Sequence, residues 1–311
     1  MNDLPGALAD IFTSPAMYGS AVRLGVFLAF AALGELVAEK AGTINISVEG
    51  SLLAGALGGA LAFDSTGSLI LGLAGGAVAG TLVSMVSANM SHRLTADQFV
   101  VGITLNVLVL GLVGFLDATF RPLGGKAEVV SLPLLSDIPV VGEALFAQTW
   151  PTYLLYALIP LTWWLLYRTR WGLEVRSVGE NPQAADVSGI DVNHRRRQAI
   201  YYGGILAGLG GAFLVLGQVG SFDTGAVGGR GFIAIAAVYF GGWTLRGTLA
   251  GALLFGMVDA FRLAVPVLGY EVNAQLLAAL PYLLTLVVLY FVTKRFVQPA
   301  GLALPFIRGG F

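Results

Sequence analysis

Between Met17 and Val292 the chain runs again and again through apolar stretches with hardly a charge, each near the ~20 residues that carry a helix across a ~30 Å hydrocarbon layer. Inside lipid every backbone amide needs a partner within its own segment or in a closed barrel, so such runs restrict the chain to a bundle of helices. The pattern predicts helices over Met17–Ala38, Thr43–Phe63, Ser68–Met90, Phe99–Phe120, Trp150–Tyr167, Gln198–Val219, Phe232–Trp243, Gly247–Pro266 and Asn273–Val292. Of the 311 residues 56% are hydrophobic and 11% charged, where soluble domains carry about a quarter charged. The expected fold is an all-α polytopic membrane protein with about nine transmembrane helices. It is expected to form a single transmembrane domain over 1–311, lodged among membrane lipids. Phe232–Trp243 is the shortest run; its 12 residues rise only about 18 Å, so it is expected as a short or broken crossing.

Cytoplasmic loops carry an excess of Lys and Arg. The stretch 168–197 holds Arg168, Arg170, Arg176, Arg195, Arg196 and Arg197 and is therefore placed inside. Nine crossings then put the N-terminus outside, and 12 basic residues inside (those six with Lys40, Arg93, Arg246, Lys294, Arg295 and Arg308) against 3 outside (Arg121, Lys126, Arg230). Residues 1–16 lack the basic start and compact apolar stretch of a secretory signal, so the first helix is expected to direct insertion. The loop 121–149, with Pro122, Gly124, Gly125, Pro133 and Pro139, reads as an ordered external cap or docking surface.

Several function classes drop out. A formal net charge of −1 leaves no basic surface for nucleic acid. With no Cys and two His, disulfide scaffolds, thiolate zinc sites and thiol catalysis are excluded, and no cofactor is expected. The nearest approach to a phosphate-binding Gly-Lys-Ser/Thr loop, Gly124-Gly125-Lys126-Ala127, lacks the hydroxyl residue, and no positioned acid–base set is evident, so the chain is expected not to be an enzyme. Its 43 glycines cluster within the spans, where small residues let helix backbones approach closely.

Polar side chains at bilayer depth are costly and usually face the bundle interior or an aqueous path. Those on the apolar runs are Arg23, Glu35, Asn45, Glu49, Asn106, Asp117, Gln218, Asp259 and Arg262. Glu35, Asp117, Asp259 and Arg262 stand near predicted helix ends and either reach the headgroups or, for the i,i+3 couple Asp259 and Arg262, pair with each other. In Thr43-Ile44-Asn45-Ile46-Ser47-Val48-Glu49-Gly50 a β-branched stretch bracketed by Gly42 and Gly50 opens a span. It favours extended or broken-helix backbone, tolerated at depth where it lines a cavity. Asn45, Glu49, Asn106 and Gln218, with Phe222 at the outer mouth, are the candidate lining of a solute path; Asn106 and Gln218 alternatively join helices by hydrogen bonds. Uncharged amides beside aromatic rings suit a neutral, hydroxyl- or base-bearing solute. In the inside loop 168–197, Asn181 is placed to cap a short helix that starts at Pro182, continues through Gln183-Ala184-Ala185-Asp186-Val187-Ser188 and stops at Gly189.

Three blocks carry a resemblance. Gly34-Glu35-Leu36-Val37-Ala38-Glu39-Lys40-Ala41-Gly42, running into the stretch 43–50, is the first; Ser177 through Val192 is the second; Gly228-Gly229-Arg230-Gly231-Phe232 through Gly242, continued by Gly247-Thr248-Leu249-Ala250-Gly251-Ala252, is the third. In this order they resemble the membrane-spanning permease subunits of bacterial ABC importers of the ribose, branched-chain amino acid and nucleoside type, most closely the simple-sugar and nucleoside branch. The resemblance implies ATP-driven import of a small neutral polar solute, with two permeases, here a non-identical pair, forming the pathway. It further implies ATP-binding cassette ATPase subunits docked inside on a coupling helix, through Glu180, Asn181, Pro182, Ala184, Ala185, Asp186 and Gly189, and an extracytoplasmic solute-binding protein outside. Trp243-Thr244-Leu245-Arg246 departs from the smaller Gly/Ser-rich turn of many relatives. An ion-coupled secondary transporter and a membrane scaffold subunit are the alternatives: the first would normally carry intramembrane carboxylates for ion coupling, the second no polar lining.

Overall fold

The computed structural model describes residues 15–133, 135–136, 138, 141–267, 273–292 and 297–308; Pro139, Lys294, Arg295 and residues 1–14, used in the topology argument, lie outside them. Helix forms in every segment where the apolar runs predict it: α1 Pro15–Lys40, α2 Val48–Thr66, α3 Leu69–His92 and α4 Gln98–Phe120. Then come β1 Val129–Ser131, α5 Val141–Phe146, β2 Ala147–Thr149, α6 Trp150–Arg168, α7 Arg170–Glu180 and α8 Pro182–Val187. The last four are α9 Val192–Ala212, α10 Arg230–Phe240, α11 Leu245–Val267 and α12 Ala274–Val292. Helix α9 continues without a break into a π-helical turn, Phe213–Val219. Among the described residues five helices, α1, α3, α4, α9 and α11, are long and apolar enough to cross a membrane.

Helix α1 is the axis of the bundle, its middle almost fully buried from Val26 to Ala38, and α9 and α11 pack along it. Close approach is set by glycine. A methyl group added to Gly55 of α2 would fall 2.5 Å from Gly208 Cα, one on Gly80 of α3 would meet the same atom at 2.5 Å, and one on Gly208 would overlap Gly76 O. Three backbones therefore meet at Gly208, with no room for any larger side chain. Helix α4 leaves Val100, Ile103, Val107, Leu108, Leu110 and Phe115 exposed.

The described residues of the 121–149 segment carry two short strands and a helical turn. β1 pairs antiparallel with β2, Asp64 at the end of α2 accepts from the amides of Leu123 (2.7 Å) and Gly124 (3.1 Å), and Gln148 Nε2 donates to Ala144 O at 2.6 Å. Three expectations are corrected. Helix α9 starts at Val192, six residues earlier than predicted, so Arg195, Arg196 and Arg197 belong to its first turns. Arg170–Glu180, read as loop, is helix α7. Arg230, counted as an external loop residue, is the first residue of α10 and stacks its guanidinium 5.9 Å from the ring of Phe27. Phe27 is 12 residues from one end of α1 and 13 from the other, so Arg230 sits at mid-depth.

Candidate functional site: a helix break at mid-depth

At Lys40 the chain turns back beside α1. Residues 43–47 form no regular helix, and their polar groups are met by side chains from α1 and α4 and by His92 at the end of α3, 2.9 Å from Thr43 Oγ1. Glu35 of α1 accepts from Asn45 N (2.9 Å), and Gln98 at the start of α4 accepts from Ile44 N (3.1 Å) and from Thr43 Oγ1 (2.9 Å). Ser47 Oγ donates to Asn45 Oδ1 (2.6 Å). Asn106 of α4 closes the break: its Nδ2 donates to Ile46 O (2.9 Å) and its Oδ1 accepts from Gly50 N (2.8 Å). One amide side chain thus replaces the missing turn, supplying both a donor and an acceptor to backbone that would otherwise be unpaired.

Because the broken stretch climbs back past Glu35, α2 begins well above the Lys40 end of α1. There Glu49, in its first turn, faces the first turn of α10. Its two carboxylate oxygens accept from Gly229 N and Gly231 N, each at 2.7 Å, so an anion rests on the N-terminus of α10, where the helix dipole favours it. Two helix starts meet at mid-depth, joined by one carboxylate.

A cavity of about 420 Å³ opens beside this junction, bordered by Glu49, Asn106, Leu53, Val107, Gly228 and Phe232 among others. The structure therefore brings Glu49 and Asn106 to one cavity. Asn45 is 1% exposed, its Oδ1 accepting from Ser47 Oγ and its Nδ2 buried without a hydrogen bond among the described residues; it does not border the cavity. Gln218 lies on the π-helical turn, its Oε1 buried without a hydrogen bond among the described residues. Phe222 packs against Val215, Leu216 and Ala56. Gln218 and Phe222 stand apart because the π-turn and Gly220, with φ of 90°, carry the chain to the α2–α9 side before it returns at Gly225.

A second polar group went unrecognised in the sequence as a site. Asp259, 4% exposed, lies between Arg230 (Nε–Oδ2 3.3 Å) and Arg262 (Nε–Oδ1 3.5 Å). The i,i+3 pairing of Asp259 with Arg262 was legible; Arg230, 29 residues away in sequence, was not. Asp259 and Arg262 lie eight and five residues before the end of α11 at Val267, one residue past the predicted end. Among the described residues no group of three or more His, Asp or Glu is placed to hold a metal ion.

At the Lys40 end of the bundle a compact module forms around α8. Asn181 Oδ1 accepts from Ala184 N (3.0 Å) as N-cap, and Gly189, with φ of 86°, follows the helix. Pro182 and Ala185 are buried, whereas Glu180, Ala184 and Val187 are exposed. Residues 297–308 pass through this module: Gly301 N donates to Gly179 O (2.8 Å), Ala303 N to Gly42 O (3.1 Å), and Arg308 pairs with Asp186 at 3.3 Å. At its centre Arg196, wholly buried, donates to the carbonyls of Ala41 (3.2 Å), Gly301 (3.0 Å) and Leu304 (2.6 Å). The departure at Trp243 is absorbed here too, with Trp243 Nε1 donating to Glu39.

Comparison with known proteins gives one family and one fold. TsgC13 of Haloferax volcanii, provisionally named a glucose ABC transporter permease protein, is 34% identical over 93% of this chain and 94% of its own. The nucleoside ABC transporter permease protein NupC of Lactococcus lactis is 33% identical over 90% and 93%. A chain of a transporter provisionally assigned to the metal-chelate type of ABC transporter, solved in an inward-facing conformation, superposes with a TM-score of 0.52 at 17% identity, covering 88% of this chain and 85% of that one. It supports the fold alone. With residues 17–293 matched, the chain, a multi-pass protein of the inner membrane, belongs to the family described as the permease component of the branched-chain amino acid transport system.

Proposed function

We propose that the chain is one permease of an ATP-driven importer that carries a nucleoside or simple sugar into the cytoplasm, and that the mid-depth cavity beside Glu49 and Asn106 is part of its path. The observation that carries this reading is the cavity itself: two polar side chains at a helix break, facing about 420 Å³ of otherwise largely apolar space at the depth where broken helices bind solute in transporters. The names of TsgC13 and NupC support the two substrate classes. In this reading α2, α6, α10 and α12 cross with the five long helices, nine in all, within one transmembrane domain over 1–311. The basic end faces the cytoplasm and the 121–149 segment faces out. Asn45, Gln218 and Phe222 support the path from behind rather than line it.

The 168–197 segment is then the coupling element. The exposed side of α8, with Glu180, Ala184 and Val187, meets an ATP-binding cassette subunit, while Asn181, Pro182, Ala185, Asp186 and Gly189 shape the helix that does so. ATP hydrolysis belongs to that separate subunit. A second, non-identical permease and an extracytoplasmic binding protein complete the assembly, and the exposed face of α4 offers the apolar surface against which a second permease would pack. The test is uptake of uridine, guanosine, ribose and glucose into proteoliposomes holding the permeases, with the ATPase and binding protein supplied or withheld. Uptake requiring ATP and the ATPase is expected. Uptake driven by an ion gradient without them would make the chain a secondary transporter.

A further inference from the structure

Helix α11 lies antiparallel to α1, since a methyl on Gly25 would meet Leu253 and one on Gly256 would overlap Gly25 and Ala21. Asp259 and Arg262, further along α11, therefore lie between the level of Gly25 and the Pro15 end of α1. In the topology proposed above this is the outer half of the membrane. Here Arg230, Asp259, Arg262 and Tyr282 border a second cavity, of about 360 Å³, within the ~300–1,000 Å³ range of small-molecule pockets. Gly225 and Gly228 border both this cavity and the mid-depth one. The segment 225–229 is thus the partition between a polar outer chamber and a more apolar inner one.

Three ionised groups at this depth are expensive and mark a solute or ion route more often than a packing device. Their arrangement is also unbalanced. One carboxylate serves two guanidinium groups, and Arg262 Nε, at 3.5 Å from Asp259, is buried without a hydrogen bond among the described residues. A carboxylate set between two arginines, with a tyrosine hydroxyl on the same wall, presents acceptors and donors alternately. Vicinal hydroxyls, each donating one hydrogen bond and accepting up to two, fit that alternation; a purine or pyrimidine face does not need it, and fits the more apolar inner chamber. We propose that the outer cavity is a solute station for the hydroxyl-bearing part of the cargo, the vicinal diol of a pentose or hexose, occupied before the 225–229 partition is passed. This rests on the importer reading and names what the outer half of that path recognises.

The chain has no cysteine, so a single reporter is clean. Ala278 borders the outer cavity and is exposed; Ala278→Cys is to be labelled with a small methanethiosulfonate reagent from the outside of proteoliposomes containing the assembled transporter. Uridine and ribose are expected to slow labelling, while 2′,3′-dideoxyuridine at equal concentration does not. Adding Asp259→Asn is expected to abolish the difference. Adding Tyr282→Phe, which removes one hydroxyl and keeps the ring, is expected to raise the uridine concentration for half-protection about threefold to tenfold, the loss of one hydrogen bond. Equal protection by dideoxyuridine, protection by inorganic phosphate alone, or none by any of these probes would overturn the proposal. ATP-dependent uptake by the same Ala278→Cys protein is measured in parallel. Uptake without diol-dependent protection sinks the station and leaves the importer, whereas protection without ATP-dependent uptake does the reverse.

Discussion

Glu49 is the most exacting place to test the mid-depth junction, because one side chain holds two helix starts together. Its carboxylate accepts from Gly229 N and Gly231 N at 2.7 Å each, and hydrogen bonds to a charged group contribute about 1.5–3 kcal/mol apiece. Glu49→Leu removes both and leaves two half-buried amides without a partner, so local opening of the α10 start should become easier by about 3–6 kcal/mol. Glu49→Gln retains one acceptor and points a donor at the other amide, for a loss of about 1.5–3 kcal/mol. At tenfold per 1.4 kcal/mol, exchange of the Gly229 and Gly231 amides should quicken about 10- to 150-fold in the glutamine variant, and more in the leucine one. Hydrogen exchange followed by mass spectrometry on peptides covering 225–232 reads this directly, with α3 and α9 as internal standards that should not move. Uptake should fall in the same order, leucine below glutamine below wild type. Unchanged exchange over 225–232 in Glu49→Leu would refute the latch, whatever happened to transport.

Three further outcomes follow from other parts of the bundle. Gly208→Ala, whose methyl would overlap Gly76 O, is expected to cost about 1–3 kcal/mol by overpacking, read as a lower unfolding temperature in detergent; Gly111→Ala, with nothing within 4 Å, should be neutral or stabilising by about 0.5–1 kcal/mol. Val187→Asp, at an α8 side chain 89% exposed, should leave folding intact and lower solute-stimulated ATPase activity, and unaltered stimulation would remove α8 from the coupling role. Ala185→Asp is the wrong probe for that purpose, since Ala185 is buried against Val178 and Val192 and the variant would damage the module itself. A cysteine at Ser131 should be labelled from outside only, and labelling from the cytoplasmic face would reverse the topology.

The helices were legible because their signal is local: an apolar run of sufficient length and the charges that end it. The break at 43–47 was legible for the same reason, from β-branched residues between two glycines. What the break is for depended on partners 54 to 60 residues away, Gln98 and Asn106, and no spacing rule announces those. Asn106 had two readings, path or helix joining; the structure gives it a joining role at a cavity wall. Arg195-Arg196-Arg197 read only as a topology signal, yet Arg196 is the most buried cation described, because its acceptors are carbonyls 105 to 155 residues distant. The π-helical turn after Ala212 carries no local signature, and beyond it Gln218 and Phe222 lie away from the cavity that Glu49 and Asn106 border. Gly228 was noticed as part of a block, but its place with Gly225 on a wall shared by two cavities appears only when α2, α10 and α12 are assembled.

The threefold grip of Arg196 has a consequence for the order in which the protein is made. Ala41 is synthesised well before Arg196, so one of its three acceptors is in place when the guanidinium leaves the ribosome. Gly301 and Leu304 come more than a hundred residues later. Until then a buried cation, which tolerates poor pairing badly, has one carbonyl for company, and the neighbourhood of α8 has no reason to close over it. The hydrophobic bundle is free to assemble during translation, whereas the α8 module takes its final shape only after Gly301 and Leu304 arrive. A half-made chain therefore lacks the finished α8 module, the face that the proposed coupling role would use.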